Sequence, residues 1–294
     1  MEPFIVENAG NTCYIDSLLM ALFYSPTHIE RLLNKEIKNT MGLYLQEYIK
    51  HEFVNKARSS LTITCNEIEM IRALCFQLGW RKSANDNSNN DEYISQQDVN
   101  EFYIFLMDIF ENDCIEITKT TISDNVDDKI EDNKIEKIPF IPLALPESTT
   151  SITVKDLLSN WLTDNISDIK TSDNINKKQL HIYNIANVPY ILCLSINRFN
   201  NHGIRIDTDV IIQKKICPYD KKFINQDEWS FHAAICHRGV TNKSGHYYCL
   251  LQVNNIWYIF DDLDIPCMRE VRMDDKSVTD MIKKDCVFLI YKLV

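Results

Sequence analysis

The sequence predicts an α+β fold, with a mostly helical N-terminal part followed by a mostly antiparallel sheet. Three observations predict it. Ile15, Leu18, Leu19, Leu22 and Phe23 recur at the i, i+3, i+4, i+7, i+8 spacing of one helix face. Val99, Phe102, Leu106, Ile109 and Phe110 make a second apolar helix face. From about residue 138 the texture changes to short strand-like runs. In one of them Leu192, Leu194 and Ile196 alternate with Cys193, Ser195 and Asn197, the period of a strand with one buried face.

Taken in order, the first helix begins at Cys13 and ends at Ser25-Pro26, because a residue before proline is pushed out of the helical region. Helical patterns follow at roughly 27–55 and 66–80. Residues 83–91 are a polar, low-complexity loop. Ser95 is placed to cap the next helix, with Asp98 three residues later in the capping-box position. Residues 111–137 are charged and irregular. Strands are expected at 138–145 and 152–154, a short helix at 154–163, and a polar stretch at 164–180. Further strands are expected at 190–199, 229–236, 246–253, 256–261 and 286–293. Asn254-Asn255 suits a hairpin turn between two of them. No internal repeat interrupts this outline.

Composition bounds the function. The chain has 294 residues, is 45% hydrophobic, and contains only 6 Gly and 8 Pro, which fits a globular module with a large core. No run of about 18 apolar residues suggests a membrane span. The N-terminus lacks the basic and apolar pattern of a signal peptide, so a cytoplasmic or nuclear location is expected. The net charge of −11 argues against nucleic acid or an anionic membrane as the main partner. The ten cysteines are scattered, with no C-x-x-C pair, so reduced core thiols are expected and neither a metal site nor a cofactor is supported.

Cys13 stands where a polar, Gly-bearing turn becomes a helix. A free thiol has a pKa of about 8.5, which a helix N-terminus or a nearby imidazolium lowers to roughly 3.5–7.5. That position favours a nucleophile; otherwise Cys13 is a small helix-start residue. A nucleophile needs a base. Among seven histidines, His246 is singled out because Gly245 delivers it to the first residue of a predicted strand. The base needs an orienting acceptor. If 246–253 and 256–261 pair as a hairpin, Asp261 comes to lie near the start of the first strand. Otherwise Asp261 and Asp262 merely open a turn.

These pieces together resemble the ubiquitin-specific protease family of deubiquitinases. Asn8-Ala9-Gly10-Asn11-Thr12-Cys13-Tyr14 is similar to its cysteine box. Gly245-His246-Tyr247 with Trp257-Tyr258-Ile259-Phe260-Asp261-Asp262 is similar to its histidine box, and Gln97-Asp98-Val99-Asn100-Glu101-Phe102 to its acidic helix. The resemblance runs in family order over nearly the whole chain. It implies a papain-like cysteine protease fold with thumb, palm and fingers. Residues 1–294 would form a single catalytic domain, with a helical thumb over 1–137 and a β-rich palm with abbreviated fingers over 138–294. It implies hydrolysis after the C-terminal glycine of ubiquitin, with Cys13 as nucleophile, His246 as general base, Asp261 orienting it and Asn8 donating to the oxyanion. Asp98 and Glu101 would meet arginines of the ubiquitin tail. Gly245 and Tyr247 would line its path. Ubiquitin or its conjugates are the expected partner of a monomer that needs no cofactor.

The sequence also departs from the family pattern. Asp16 and Met20 stand where the family often has Asn and Gln. A carboxylate at Asp16 could raise the thiol pKa and oppose activation. The cysteine pairs of a zinc ribbon are missing between 158 and 189, so the fingers are expected to be metal-free. Two alternatives follow: a protease for another ubiquitin-like modifier or for ordinary peptides, and an inactive ubiquitin-binding relative disabled by Asp16.

Overall fold

The apolar stripe after Cys13 winds into α1 (Cys13–Leu19), which continues as a π-helical turn over Met20–Tyr24. A 3-10 helix follows at His28–Leu33, then α2 (Thr40–Tyr48), extended by a π-helical segment at Ile49–Asn55, and α3 (Cys65–Gln77). Asn39 caps α2, and a Thr64–Glu67 capping box opens α3. The last helix of this part is α4 (Val99–Ile109). Its cap is Asp98, whose Oδ1 accepts from the Asn100 and Glu101 N–H groups, and not the expected Ser95. This computed structural model describes residues 4–81, 95–112, 114–123, 131–163, 165–170, 176–217, 228–241 and 244–294. The expected polar loop at 83–91 lies outside the described residues.

The strands and two further helices follow in order. They are β1 (Ile115–Ser123), β2 (Glu131–Ile138), β3 (Ile141–Ala144), β4 (Ser151–Thr153), α5 (Val154–Thr163), β5 (Asn165–Lys170) and β6 (Asn176–Ile185). Then come β7 (Ile191–Asn197), β8 (Asp209–Ile211), β9 (Lys215–Ile216), β10 (Trp229–Thr241) and β11 (Ser244–Val253). The chain finishes with β12 (Ile256–Phe260), β13 (Met268–Val271), α6 (Lys276–Asp285) and β14 (Cys286–Leu293).

An eight-stranded sheet, ordered β13-β12-β11-β10-β14-β7-β3 with β9 paired to β10, forms the centre. Its pairings are antiparallel except β3 with β7. Both faces are buried. Ala233, Ile235, Tyr247, Cys249, Phe288 and Ile290 join the core that contains α1, α3 and α4. Their chain neighbours Ala234, Cys236, Tyr248, Leu250, Leu289 and Tyr291 join a second core with Leu157 and Leu158 of α5 and Val278 and Ile282 of α6. Two covered faces explain why these strands read as nearly continuous apolar runs. Asn254 and Asn255 both take positive φ, 50° and 66°, as the expected two-residue hairpin turn requires.

A separate four-stranded antiparallel sheet, ordered β2-β1-β6-β5, departs from expectation. The helical part ends at Ile109, not near residue 137, and the supposedly irregular stretch 111–137 supplies β1 and most of β2. The polar stretch 164–180 supplies β5 and part of β6. β1 and β2 pair charged side chains, Lys119 with Glu136 at 3.9 Å and Lys137 with Glu116 at 3.1 Å. Strands held by cross-strand polar pairs lack the apolar alternation that marks a strand in sequence. Among the described residues no helix is long and apolar enough to cross a membrane.

Candidate active site

The turn before Cys13 is made by two consecutive residues at positive φ, Gly10 at 80° and Asn11 at 57°; glycine and asparagine tolerate this region best. The Gly10 N–H donates to Asn8 Oδ1 at 2.7 Å, and the Ala9 N–H to the Thr12 hydroxyl at 3.1 Å. Arg72, buried on α3, donates to the Gly10 carbonyl at 2.8 Å and the Ala9 carbonyl at 3.4 Å. A charged clamp from another helix therefore fixes the loop that presents the thiol. Behind it, the Tyr14 ring meets Phe102 edge-on at 5.1 Å.

The opposite wall is β11. A side chain on Gly245 would collide with the Arg238 carbonyl and the His237 ring, so the strand can start its close pass only with glycine there. Alternate residues share a strand face. Cys249 pairs with Phe260, so continuing the register puts Asp261 opposite Tyr248, on the face that also carries His246. Accordingly His246 Nε2 and Asp261 Oδ1 lie 2.7 Å apart. The next residue, Asp262, turns toward the cysteine side, where its Oδ2 accepts from Asn8 Nδ2 at 2.6 Å. Its Oδ1 stands 3.5 Å from His246 Nε2. The Tyr247 N–H, one residue beyond His246, points at Cys13 Sγ at 3.4 Å. The fold thus brings Cys13, His246, Asp261 and Asn8 to one place.

The electrostatics differ from expectation at the thiol. Cys13 is only 3% exposed, and burial pushes its pKa up to about 12. The Tyr247 N–H opposes this, while Asp262 and Asp16 add to it. Desolvation outweighs the helix-start effect, so the thiol keeps its proton in this arrangement. Asp261 behaves oppositely. Burial raises its pKa, but hydrogen bonding and charge attraction to His246, with help from the Leu263 N–H and Arg238, leave it below the usual carboxylate value. Asp262 is held above that value, chiefly by burial. Among the described residues, His246, Asp261 and Asp262 are the group whose potential ligand atoms converge within 4.8 Å. His246 is already hydrogen-bonded to Asp261, and Asp262 to Asn8, which suits a hydrogen-bonded relay better than a cation.

The remaining candidates separate. Asp98 lines a cavity of about 100 Å³ with Asn100, Ser195, Phe199, His237 and Tyr247. Glu101 does not line it and is ion-paired with Arg81. Gly245 is exposed at the start of β11, and Tyr247 is buried with its ring 4.6 Å from that of His237. Burial, then the nearby Arg205, lowers the His237 pKa to about 4 and keeps its ring neutral. Met20 is wholly buried in the core. Three contacts were not legible in the sequence. Gln96 Nε2 lies 3.8 Å from Cys13 Sγ, Arg72 clamps the turn, and Arg238 reaches Asp261 Oδ2 at 3.4 Å. Only Arg72, a charge beside the apolar run of α3, left a local signal.

Comparison with known proteins bears on the family and the fold. Residues 6–291 match the family described as "Ubiquitin carboxyl-terminal hydrolase". Among solved structures, the chain is similar to Ubp8 in the SAGA DUB module with Sgf11, Sus1 and Sgf73 bound to monoubiquitin. That likeness has a TM-score of 0.71 and 14% identity, covering 100% of this chain and 69% of the other. It is also similar to the same module bound to ubiquitin aldehyde, with a TM-score of 0.70, 14% identity, and coverage of 100% and 70%. At that identity the two structures speak for a shared fold, and the family match carries the assignment. The chain belongs to the ubiquitin carboxyl-terminal hydrolase family, with the mixed helix-and-sheet fold of a cysteine-type deubiquitinase.

Proposed function

We propose that this protein hydrolyses the isopeptide or peptide bond after the C-terminal glycine of ubiquitin through Cys13, His246 and Asp261. The observation that carries the reading is the convergence of these three side chains, from both ends of a family-matched chain, with the His246–Asp261 bond at 2.7 Å. With Nε2–H donated to Asp261, Nδ1 is the ring atom left to accept the thiol proton. As that proton moves to Nδ1, Sγ bonds to the carbonyl carbon and the carbonyl electron pair moves onto oxygen. Asn8 Nδ2 gives one hydrogen to Asp262 and has a second to offer that oxyanion, beside the Cys13 N–H. Collapse breaks the C–N bond, and His246 returns the proton to the leaving amine. Water, deprotonated by His246, then cleaves the thioester and regenerates the thiol.

Ubiquitin as the substrate is supported by the family and by the bound ubiquitin in the similar Ubp8 structures. Asp98 places a carboxylate in the cavity beside Tyr247, suited to a basic residue of the incoming tail. The expected monomer finds no support in those structures, whose Ubp8 is held in a module with Sgf11, Sus1 and Sgf73. A reducing compartment suits a chain in which no disulfide forms among the described residues. The raised Cys13 pKa favours a second reading, an inactive ubiquitin-binding relative. Turnover separates the two. Release of a fluorogenic amine from the ubiquitin C-terminus, lost in Cys13→Ala, supports hydrolysis. Ubiquitin binding without release by folded protein overturns it.

A further inference from the structure

Arg238, on β10, stands directly across from His246 on β11, in the last regular pair before the register shifts. Cross-strand partners of an antiparallel pair share one face of the sheet. Arg238 therefore projects on the side where His246 meets Asp261. A cation opposite a base that must itself become a cation would ordinarily repel it. Here a carboxylate lies between the two. Asp261 Oδ1 is 2.7 Å from His246 Nε2 and also accepts from the Leu263 N–H at 3.2 Å. Its Oδ2 accepts from Arg238 Nη1 at 3.4 Å, and among the described residues no other donor reaches that atom.

The guanidinium is itself anchored by three neighbours. Its Cζ lies 4.1 Å from the centroid of the Tyr248 ring. Its Nε faces Asp285 Oδ2 at 3.9 Å and its Nη2 faces Met281 Sδ at 3.2 Å, both on α6. The Tyr248 hydroxyl donates to the same Asp285 oxygen at 2.8 Å, so the ring beneath the guanidinium and the acid beside it are tied together. Arg205 completes the frame. Its Nη2 is 3.0 Å from Asp285 Oδ1, and its Nη1 donates to the His237 and Gly239 carbonyls, on either side of Arg238, at 3.0 and 2.9 Å. Charges thus alternate from Asp261 through Arg238 and Asp285 to Arg205. The Arg238 side chain is 44% exposed, and an ion pair so open to water contributes little to stability. What the frame supplies is orientation, through a planar fork that no single point charge reproduces.

We propose that Arg238 is a positioning residue that holds Asp261 Oδ2 so that Oδ1 stays turned toward His246 Nε2, with Asp285 and Tyr248 fixing the guanidinium that does so. This inference rests on the role proposed above for Asp261. A carboxylate gripped at one oxygen can still turn about its side-chain torsions. Gripped at both, it keeps the imidazole in the tautomer whose Nδ1 is open to the thiol proton. An ion pair that served stability alone would act independently of Asp261 in turnover.

The test is a mutant cycle on cleavage of a fluorogenic ubiquitin amide. Arg238→Met keeps the stem that packs on Tyr248 and Met281 and removes the charge and the donors. It is expected to lower kcat/KM about three- to tenfold, mainly in kcat, with Arg238→Lys falling between it and wild type. In an Asp261→Asn background the same Arg238→Met change is expected to cost less than about twofold, because the group it acts through is gone. An undiminished loss in that background overturns the inference, as does folded Arg238→Met with wild-type turnover. Proton NMR of the ring N–H shared by His246 and Asp261, assigned by its loss in His246→Ala, gives a readout independent of turnover. The signal is expected to shift or to exchange faster in Arg238→Met, and an unchanged signal overturns the inference. A wild type without turnover contradicts the proposed function, and the NMR comparison then decides the role of Arg238 by itself.

Discussion

Asp261→Asn separates the work of two neighbouring carboxylates. When His246 takes up the thiol proton, its new charge lies beside Asp261 Oδ1, 2.7 Å from Nε2. At a charge separation of about 4 Å and an effective dielectric of about 20, that attraction is about 4 kcal/mol. Lost entirely, it would correspond to roughly three decades of rate. The structure reduces this loss, because Asp262 Oδ1 stands only 3.5 Å from the same nitrogen on a fully buried side chain. Asp261→Asn is therefore expected to lower kcat/KM by about 10–100-fold, and Asp261→Asn with Asp262→Asn by about 1,000-fold or more. Asparagine at 262 retains an amide oxygen that can accept from Asn8, so the double variant reports mainly on charge. The assay is steady-state cleavage of a fluorogenic ubiquitin amide by both single variants and the double variant, read as a cycle. A single Asp261→Asn as damaged as the double variant would refute a shared role for Asp262, and an unaffected one would refute the orienting role of Asp261.

Further expectations concern the other groups of the site. Asn8→Ala is expected to lower kcat by about 10²–10³-fold with little change in KM, since the lost amide acts on the oxyanion; steady-state kinetics showing a KM effect alone would contradict that role. Asp98 both caps α4 and faces the cavity beside Tyr247. Asp98→Asn keeps a good cap, so its urea midpoint should match wild type while KM for a ubiquitin substrate rises. Asp98→Ala should also lose about 1 kcal/mol of stability. A midpoint shift equal in both variants would contradict the capping account.

The sequence was most informative where function depends on local pattern. The stripe from Ile15 to Phe23 and the turn at Gly10-Asn11 sufficed to place Cys13 at a helix start. The Asn254-Asn255 turn set the hairpin register that brings Asp261 toward His246. The polar sheet stayed hidden because β1 and β2 are held by pairs such as Lys137 with Glu116, which leave no apolar alternation. Ser95 and Asp98 both suit a cap, and only the backbone conformation decides between them. The thiol pKa depends on how deeply β11 and the segment after β12 bury Cys13, a matter of packing. The contact from Asn8 to Asp262 joins residues 254 positions apart and leaves no local trace.

The most direct measurement treats the protein with ubiquitin carrying a C-terminal electrophile, beside matching probes of other modifiers, and maps any adduct by mass spectrometry. A single adduct with the ubiquitin probe, located on Cys13 and absent in Cys13→Ala, is the expected result. Labelling at a different cysteine, or no labelling of folded protein by any of the probes, would contradict Cys13 as the nucleophile, and labelling of Cys13 by another modifier alone would contradict ubiquitin as the substrate.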